Sequence, residues 1–282
     1  MIVFHHNDAD GRCAAAIVKR WYDATKKPSM ERDWFQTVEM DYKNPVPLDQ
    51  IDRQDTVVIV DFSFKPDDMA AIMAMTKMGV IWCDHHKTAE AYGYNVAGKR
   101  DFTERGLCGA ELTWLFFFPN DAKPYWLNLL GDYDAWRMQH KEECLPFYEG
   151  LKLYDQSPVG QSVWTYLFKE ADAWRKIIEE GAITVRYRDI YCGELRDAFG
   201  FETTIGGQRA YALNAYRFGS QGFGRKAIEY PVCIAFIYDG NQFTVSLYSE
   251  TVNVSEIAKA FGGGGHKGAA GFVCKALPFS KP

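Results

Sequence analysis

The sequence predicts an α/β fold, with an N-terminal domain built on a parallel sheet and a helical linker leading to a smaller α+β C-terminal domain. Three observations predict it. In the first hundred residues, short apolar runs without polar alternation recur with helical stretches between them, as parallel strands covered on both faces do. From Gly109 to about Arg196 the pattern turns mostly helical. From Phe201 onward, paired runs flank Gly206-Gly207 and Asp239-Gly240, a hairpin signature. The expected division is 1–182 for the first domain, 183–200 for the helical linker and 201–282 for the second, and 282 residues suffice for both.

Each element has a local reason. Ile2-Val3-Phe4-His5 reads as a strand that breaks into an Asp/Gly turn, after which Arg12 to Tyr22 carries Ala15, Ile17, Val18 and Trp21 at helical spacing. Val57-Val58-Ile59-Val60 is a second strand, stopped by Asp61, and Pro66-Asp67-Asp68 starts a helix over Met69 to Met78. Val80-Ile81-Trp82-Cys83 is a third strand and ends at Asp84-His85-His86. Trp114, Phe116, Phe117, Phe118, Tyr125 and Trp126 read as core of the helical stretch. Glu170 to Arg196 is long, charged and helix-prone, which suits a connection. In the second domain, Phe201 to Ile205 pairs with Gln208 to Leu213, and Pro231 to Ile237 with Gln242 to Tyr248. Asn253-Val254-Ser255-Glu256 then caps a short helix that ends at Gly262.

Composition narrows the function. Apolar residues make up 47% and charged residues 24%, as in ordinary folded proteins. With 32 Lys+Arg against 37 Asp+Glu the net charge is −5, so neither duplex DNA nor an anionic membrane is an expected partner. The start has no basic segment leading into a long apolar one, and the densest apolar stretch, Leu112 to Phe118, is far short of the ~20 residues of a membrane span. A cytoplasmic location is expected. Seven widely spaced cysteines without a C-x-x-C pair read as reduced core thiols.

In open parallel sheets ligands bind beyond the carboxyl ends of the strands, and all three strands end in polar clusters. After the first, His6, Asp8 and Asp10 occupy every second position, so an extended backbone would point all three one way, with Gly11 turning the chain into the helix. Carboxylates with imidazole suit Mn²⁺, Mg²⁺, Fe²⁺ or Co²⁺, although an Asp-rich helix cap explains the same residues. Two adjacent histidines after an apolar strand have no packing reason, and Asp84 beside them can fix a ring tautomer.

The ordered set His6-x-Asp8-x-Asp10-Gly11, Val60-Asp61, Asp84-His85-His86, Gly131-Asp132 and Phe261-Gly262-Gly263-Gly264-Gly265-His266-Lys267-Gly268 resembles the DHH phosphoesterase family with its DHH-associated C-terminal domain. The resemblance implies a hydrolase dependent on two divalent metal ions, with Mn²⁺ favoured and Mg²⁺ or Co²⁺ as alternatives, and a site between the two domains. One ion would be held by His6, Asp8 and Asp61, the other by Asp10, Asp61, His85 and Asp132. Asp61, Asp84 and His86 would form the catalytic group, with His86 facing the phosphate, and Gly263, Gly264, Gly265 and His266 would close over the substrate. Four ligand carboxylates and two divalent ions sum to zero charge, and two metals ~3.5–4 Å apart can activate a shared water and polarise a phosphoryl group. The glycine run would offer backbone N–H groups to phosphate oxygens.

One position departs from the family pattern. Where many members carry an arginine, this chain reads Ser246-Leu247-Tyr248-Ser249, and a tyrosine can stack on a base but cannot fork onto a phosphate. Arg217, Arg225, Lys226 and Lys267 are the nearby cations that could compensate. The expected activity is cleavage of short single-stranded oligonucleotides or small nucleotides to 5′-mononucleotides. Alternatives are a bisphosphonucleotide phosphatase, a cyclic-dinucleotide phosphodiesterase, a polyphosphatase, and a non-catalytic nucleotide-binding sensor.

Overall fold

The computed structural model describes residues 1–26, 34–42, 45–216 and 218–281, so Arg217 lies outside the described residues. The chain forms two units, Met1–Thr184 and Val185–Pro282. The division falls inside a long helix.

The first unit holds β1 (Ile2–His6), α1 (Ala9–Thr25), β2 (Gln36–Met40), β3 (Val57–Val60), α2 (Pro66–Met75) and β4 (Val80–Cys83). It continues with α3 (Gly109–Phe117), α4 (Tyr125–Asp134), α5 (Lys141–Leu151), α6 (Val163–Lys169) and the start of α7 (Ala173–Phe199). The four strands are all parallel, in the order β2-β1-β3-β4. Alternate strand residues enter two separate cores. Val3, Val58, Val60 and Cys83 pack with α1, α3 and α4 on one face. Ile2, Phe4, Val57, Ile59, Val80 and Trp82 pack with Met69 and Ile72 of α2 on the other. Burying a Val or Ile side chain contributes roughly 1.5–3 kcal/mol, and all four residues of β3 are fully buried. Both faces being apolar is why these strands lack alternation.

The sequence shows three strands, and the structure adds a fourth, β2. Among the described residues it is an edge strand paired only with β1, and most of its residues are half-exposed, so Gln-Thr-Val-Glu-Met carries no apolar run.

The second unit holds β5 (Phe201–Ile205), β6 (Gln208–Asn214), α8 (Lys226–Glu229), β7 (Val232–Tyr238), β8 (Phe243–Tyr248), α9 (Val254–Ala260), β9 (Gly264–Gly265) and β10 (Ala269–Cys274). Its sheet runs β5-β6-β7-β8-β10-β9, antiparallel except for β6 with β7. Both predicted hairpins are present. Val254, Ile257 and Ala258 of α9 cover one face over Ala212, Ile234, Val245 and Leu247. The glycine run forms the edge strand β9 rather than an open loop. The α/β class and the mixed second sheet agree with the sequence.

All seven cysteines are free thiols, six of them buried. Among the described residues no helix is long and apolar enough to cross a membrane.

Helices α5 and the first part of α7 cross at glycines. A Cβ on Gly181 would lie 1.8 Å from the Pro146 carbonyl oxygen, and one on Gly150 2.1 Å from that of Ile177. Alanine is ordinarily the better helix residue by about 1 kcal/mol, but overpacking costs ~1–3 kcal/mol, so the steric term decides. Gly181→Ala is therefore expected to lower the unfolding free energy by ~1–3 kcal/mol, read as a lower urea midpoint. An unchanged or higher midpoint would contradict the close crossing.

Candidate metal centre

The carboxyl ends of β1, β3 and β4 deliver His6, Asp61 and the segment Asp84-His85-His86 to one place. After His6 the backbone does not stay extended through Asp10. Asp8 caps α1, with Oδ1 accepting the Gly11 N–H at 2.9 Å, and Asp10 sits in the first helical turn. Asp10 then reaches across the unit, its two oxygens accepting the N–H groups of Gly109 (2.7 Å) and Ala110 (3.0 Å) at the start of α3. A carboxylate is favoured at that helix terminus, and the contact locks α1 to α3.

Asp61 is the centre of the cluster. It has a left-handed backbone (φ 52°), unusual for a residue with a side chain, and its N–H donates to the Cys83 carbonyl at 2.8 Å. Its side chain is 1% exposed. A Cβ on Gly109 would come within 2.5 Å of the Asp61 Cβ, so only glycine leaves room for this carboxylate. Both carboxylate oxygens are buried and neither has a hydrogen-bond partner among the described residues. A buried unpaired carboxylate is costly unless it is paired or holds a cation, and the groups nearest to it are imidazoles. His85 Nε2 lies 3.2 Å from Asp61 Oδ1, and His6 Nδ1 lies 3.8 Å from Oδ2.

Three ligand-like groups overlap here: His6, Asp8 and Asp61; Asp10, His85 and Asp134; and Asp61, His85 and His86. His6 Nδ1 meets Asp8 Oδ2 at 2.6 Å, and His85 Nε2 lies 3.9 Å from Asp10 and 3.5 Å from Asp134. Oxygen and imidazole donors without thiolate fit hard or borderline divalent ions such as Mn²⁺ and Mg²⁺. His86 Nδ1 lies 3.8 Å from Asp61 Oδ1 but has a closer partner. Its Nδ1 is 2.8 Å from Asp84 Oδ1, while Asp84 Oδ2 accepts from Ser63 Oγ, which in turn accepts the Trp82 indole N–H. Asp84 thus orients His86 instead of entering the cluster.

Of the six residues expected as ligands, His6, Asp8, Asp10, Asp61 and His85 converge and Asp132 does not. The side chain of Asp132 accepts the backbone N–H groups of Gln139 (3.1 Å) and His140 (2.7 Å), and its carbonyl accepts those of Arg137 and Met138. Two residues on, at the last position of α4, Asp134 faces His85. At 100° per residue, positions 132 and 134 lie ~200° apart on the helix, so both cannot face one cluster. Asp132 instead clamps the turn in which Trp136 and Met138 adopt positive φ. The signal was present in the sequence as a second acid in Gly131-Asp132-Tyr133-Asp134.

In the second unit, three N–H groups of the run 262–266 serve the fold. Gly262 and Gly263 donate to the carbonyls of Lys259 and Ala258 at the end of α9, and His266 donates to Ala269 to close the β9–β10 hairpin. Gly264 and Gly265 form the sheet edge, and His266 is exposed. Tyr248 is half-buried on β8, its ring 6.1 Å from Phe223. Lys226 is paired with Glu229, and Lys267 is exposed.

The electrostatics are uneven. Burial and then the charge of Asp134 push Asp10 up to about 7, and burial and then the charge of Asp8 do the same to Asp134. Burial, followed by the charges of Asp10 and Asp8, drives Asp61 well above the usual carboxylate range. For Asp8, burial works against ionisation, but the hydrogen bond and charge of His6 outweigh it and hold the group below its usual range. Burial lowers His85. Burial also opposes a charge on His86, but the Asp84 hydrogen bond and charge prevail and raise it to about 9.

Carboxyls with raised pKa bind more protons folded than unfolded between about pH 4 and 7, so they reduce the stability of the metal-free protein as pH rises through that window. The rise in melting temperature on adding Mn²⁺ should therefore grow from pH 5 to pH 8, with protons released on binding near neutrality; a shift independent of pH would contradict the buried acids. Asp134→Asn should weaken Mn²⁺ binding by about 10-fold or more, whereas Asp132→Asn should lower the melting temperature and leave Mn²⁺ affinity within a few-fold. Calorimetric titration with both variants checks this, and the reverse pattern would return Asp132 to the cluster.

Residues 1–125 match the DHH family, N-terminal domain. Uncharacterized protein R106 of Acanthamoeba polyphaga mimivirus is 24% identical over 303 residues, spanning 100% of this chain and 70% of that protein. Among solved structures, the pGpG-specific phosphodiesterase PggH from Vibrio cholerae is similar with a TM-score of 0.53 and 11% identity, over 97% of this chain and 93% of that one. RecJ from Thermus thermophilus in complex with Mn²⁺ gives 0.50 at 17% identity, over 96% of this chain and 49% of that one. At these identities the structural likenesses establish a shared fold. The sequence match to the DHH family, N-terminal domain, thus covers residues 1–125, the part of the chain that carries the parallel sheet and most of the cluster at its strand ends.

Proposed function

We propose that the protein is a metal-dependent phosphohydrolase that cleaves short oligonucleotides or small nucleotides to 5′-mononucleotides. The observation that carries this reading is Asp61, with two buried carboxylate oxygens lacking hydrogen-bond partners among the described residues, between two sets of acid and imidazole donors. His6, Asp8 and Asp61 would hold one divalent ion, and Asp10, Asp61, His85 and Asp134 a second. Four carboxylates and two dications then sum to zero, so phosphate is not repelled. When bound, such a pair supplies an activated water and charge stabilisation at phosphorus.

The chain's own residues supply the rest. His86 is charged at neutral pH and oriented by Asp84, so it can donate to a phosphate oxygen as negative charge builds up. His85, whose pKa is lowered, presents neutral imidazole as a ligand. The similarity to a pGpG-specific phosphodiesterase and to RecJ supports phosphodiester chemistry, and Tyr248 in place of an arginine favours a base-bearing substrate over inorganic polyphosphate. In this reading Gly263, Gly264, Gly265 and His266 are substrate-binding residues, and Mn²⁺ is the favoured ion.

The test is a phosphoester panel with Mn²⁺-loaded protein. Di- to pentanucleotides should yield 5′-mononucleotides, chelation should abolish turnover, and Asp61→Ala should reduce it by at least about 10³-fold. Turnover of polyphosphate, a bisphosphonucleotide or a cyclic dinucleotide in preference to linear oligonucleotides would reassign the substrate. Tight nucleotide binding with no turnover of any member would identify a sensor.

A further inference from the structure

Tyr42 follows the edge strand β2 and stands at the rim of the acid and histidine cluster. One side of its ring is packed on Phe62, with centroids 4.6 Å apart and planes inclined by 24°. Phe62 is 3% exposed and meets Phe64, which meets Phe4 in the core, so the support under Tyr42 is rigid. The ring centroid lies 5.8 Å from that of His6 and 6.0 Å from that of His86. Despite these contacts Tyr42 is 56% exposed.

A scattered exposed aromatic needs no explanation, but this one is held in place by a buried aromatic and borders two histidines of the proposed site. Its packed side cannot receive a ligand, and its exposed surface can. A flat π-surface supported from below offers stacking to a planar ring without regard to that ring's hydrogen-bond pattern. It offers little to a phosphate chain. We infer that Tyr42 is a specificity residue, a platform on which the base of a nucleotide stacks while its phosphate occupies the cluster. The inference rests on the phosphohydrolase reading for the position of the phosphate and adds the part of the substrate that is recognised.

Calorimetric dissociation constants for adenosine 5′-monophosphate and ribose 5-phosphate, with Mn²⁺ present, isolate the base. Loss of a stacked base costs about 5- to 100-fold in affinity, so the nucleotide should bind about 10-fold or more tightly than ribose 5-phosphate. Tyr42→Phe should keep that ratio. Tyr42→Ala and Tyr42→Leu should bring it to within about 2-fold, with ribose 5-phosphate little affected and melting curves showing that both variants fold. Equal affinities in the unaltered protein, no binding of either ligand, or a ratio kept in both the Ala and Leu variants would overturn the inference. Failure of the phosphohydrolase reading is seen separately, as absence of product from every phosphoester, and does not alter the binding ratio.

Discussion

Asp8, Asp10, Asp61 and Asp134 bring four carboxyl groups together at the carboxyl end of a sheet that is buried on both faces, and like charges there repel. At 4 Å and an effective permittivity near 20, one ionised pair would cost roughly 4 kcal/mol, a large part of a domain's typical net stability of ~5–15 kcal/mol. Protonation or cations must relieve that repulsion. Much of the N-terminal unit keeps the acids in place despite it. Parallel pairing aligns the strand ends, Asp10 is fastened to the first turn of α3, and Gly109 leaves the volume that Asp61 occupies.

The same requirement explains which parts of the site were legible in the sequence. His6, Asp8, Asp10, Asp61 and His85 follow strands whose apolar runs are unmistakable, but only the resemblance to the DHH family, not the order of elements, put them in one ligand set. Asp134 sits at the end of a helix, where the choice between acids at 132 and 134 depends on helix rotation, and spacing in the sequence carries no rotation. Strand β2 was hidden because an edge strand need bury only part of itself, and Tyr42, which follows it, was hidden with it. The glycine run was legible as a motif but not as structure, since Gly262 and Gly263 cap α9 and the next two residues add a sheet edge.

The acidic balance of the chain takes on a different meaning in this light. A net charge of −5 argues against a protein that gathers phosphates by surface charge, and nothing in the fold reverses that. Electrostatic attraction can instead be local. In the proposed reading, two dications would change the charge of the cluster by four units among buried, poorly screened groups, whereas surface lysines such as Lys226 and Lys259 are paired with nearby glutamates.

The two halves of the cluster are not equivalent, and the reason lies in their neighbours. His6 and Asp8 are 20% and 36% exposed, and their mutual contact keeps Asp8 ionised through the neutral range. Asp10 is 1% exposed, and burial, joined by the charge of Asp134 on Asp10 and of Asp8 on Asp134, raises both acids to about 7, so near neutrality this half retains protons that an entering cation would displace. Asp61 contributes one oxygen toward each half, and burial with the charges of Asp10 and Asp8 opposes its ionisation. Occupation of either half by a cation would lower the cost of ionising Asp61, and an ionised Asp61 would attract a cation to the other half. A shared carboxylate of this kind would make the two halves of the cluster energetically dependent on each other, as coupled titrating groups are.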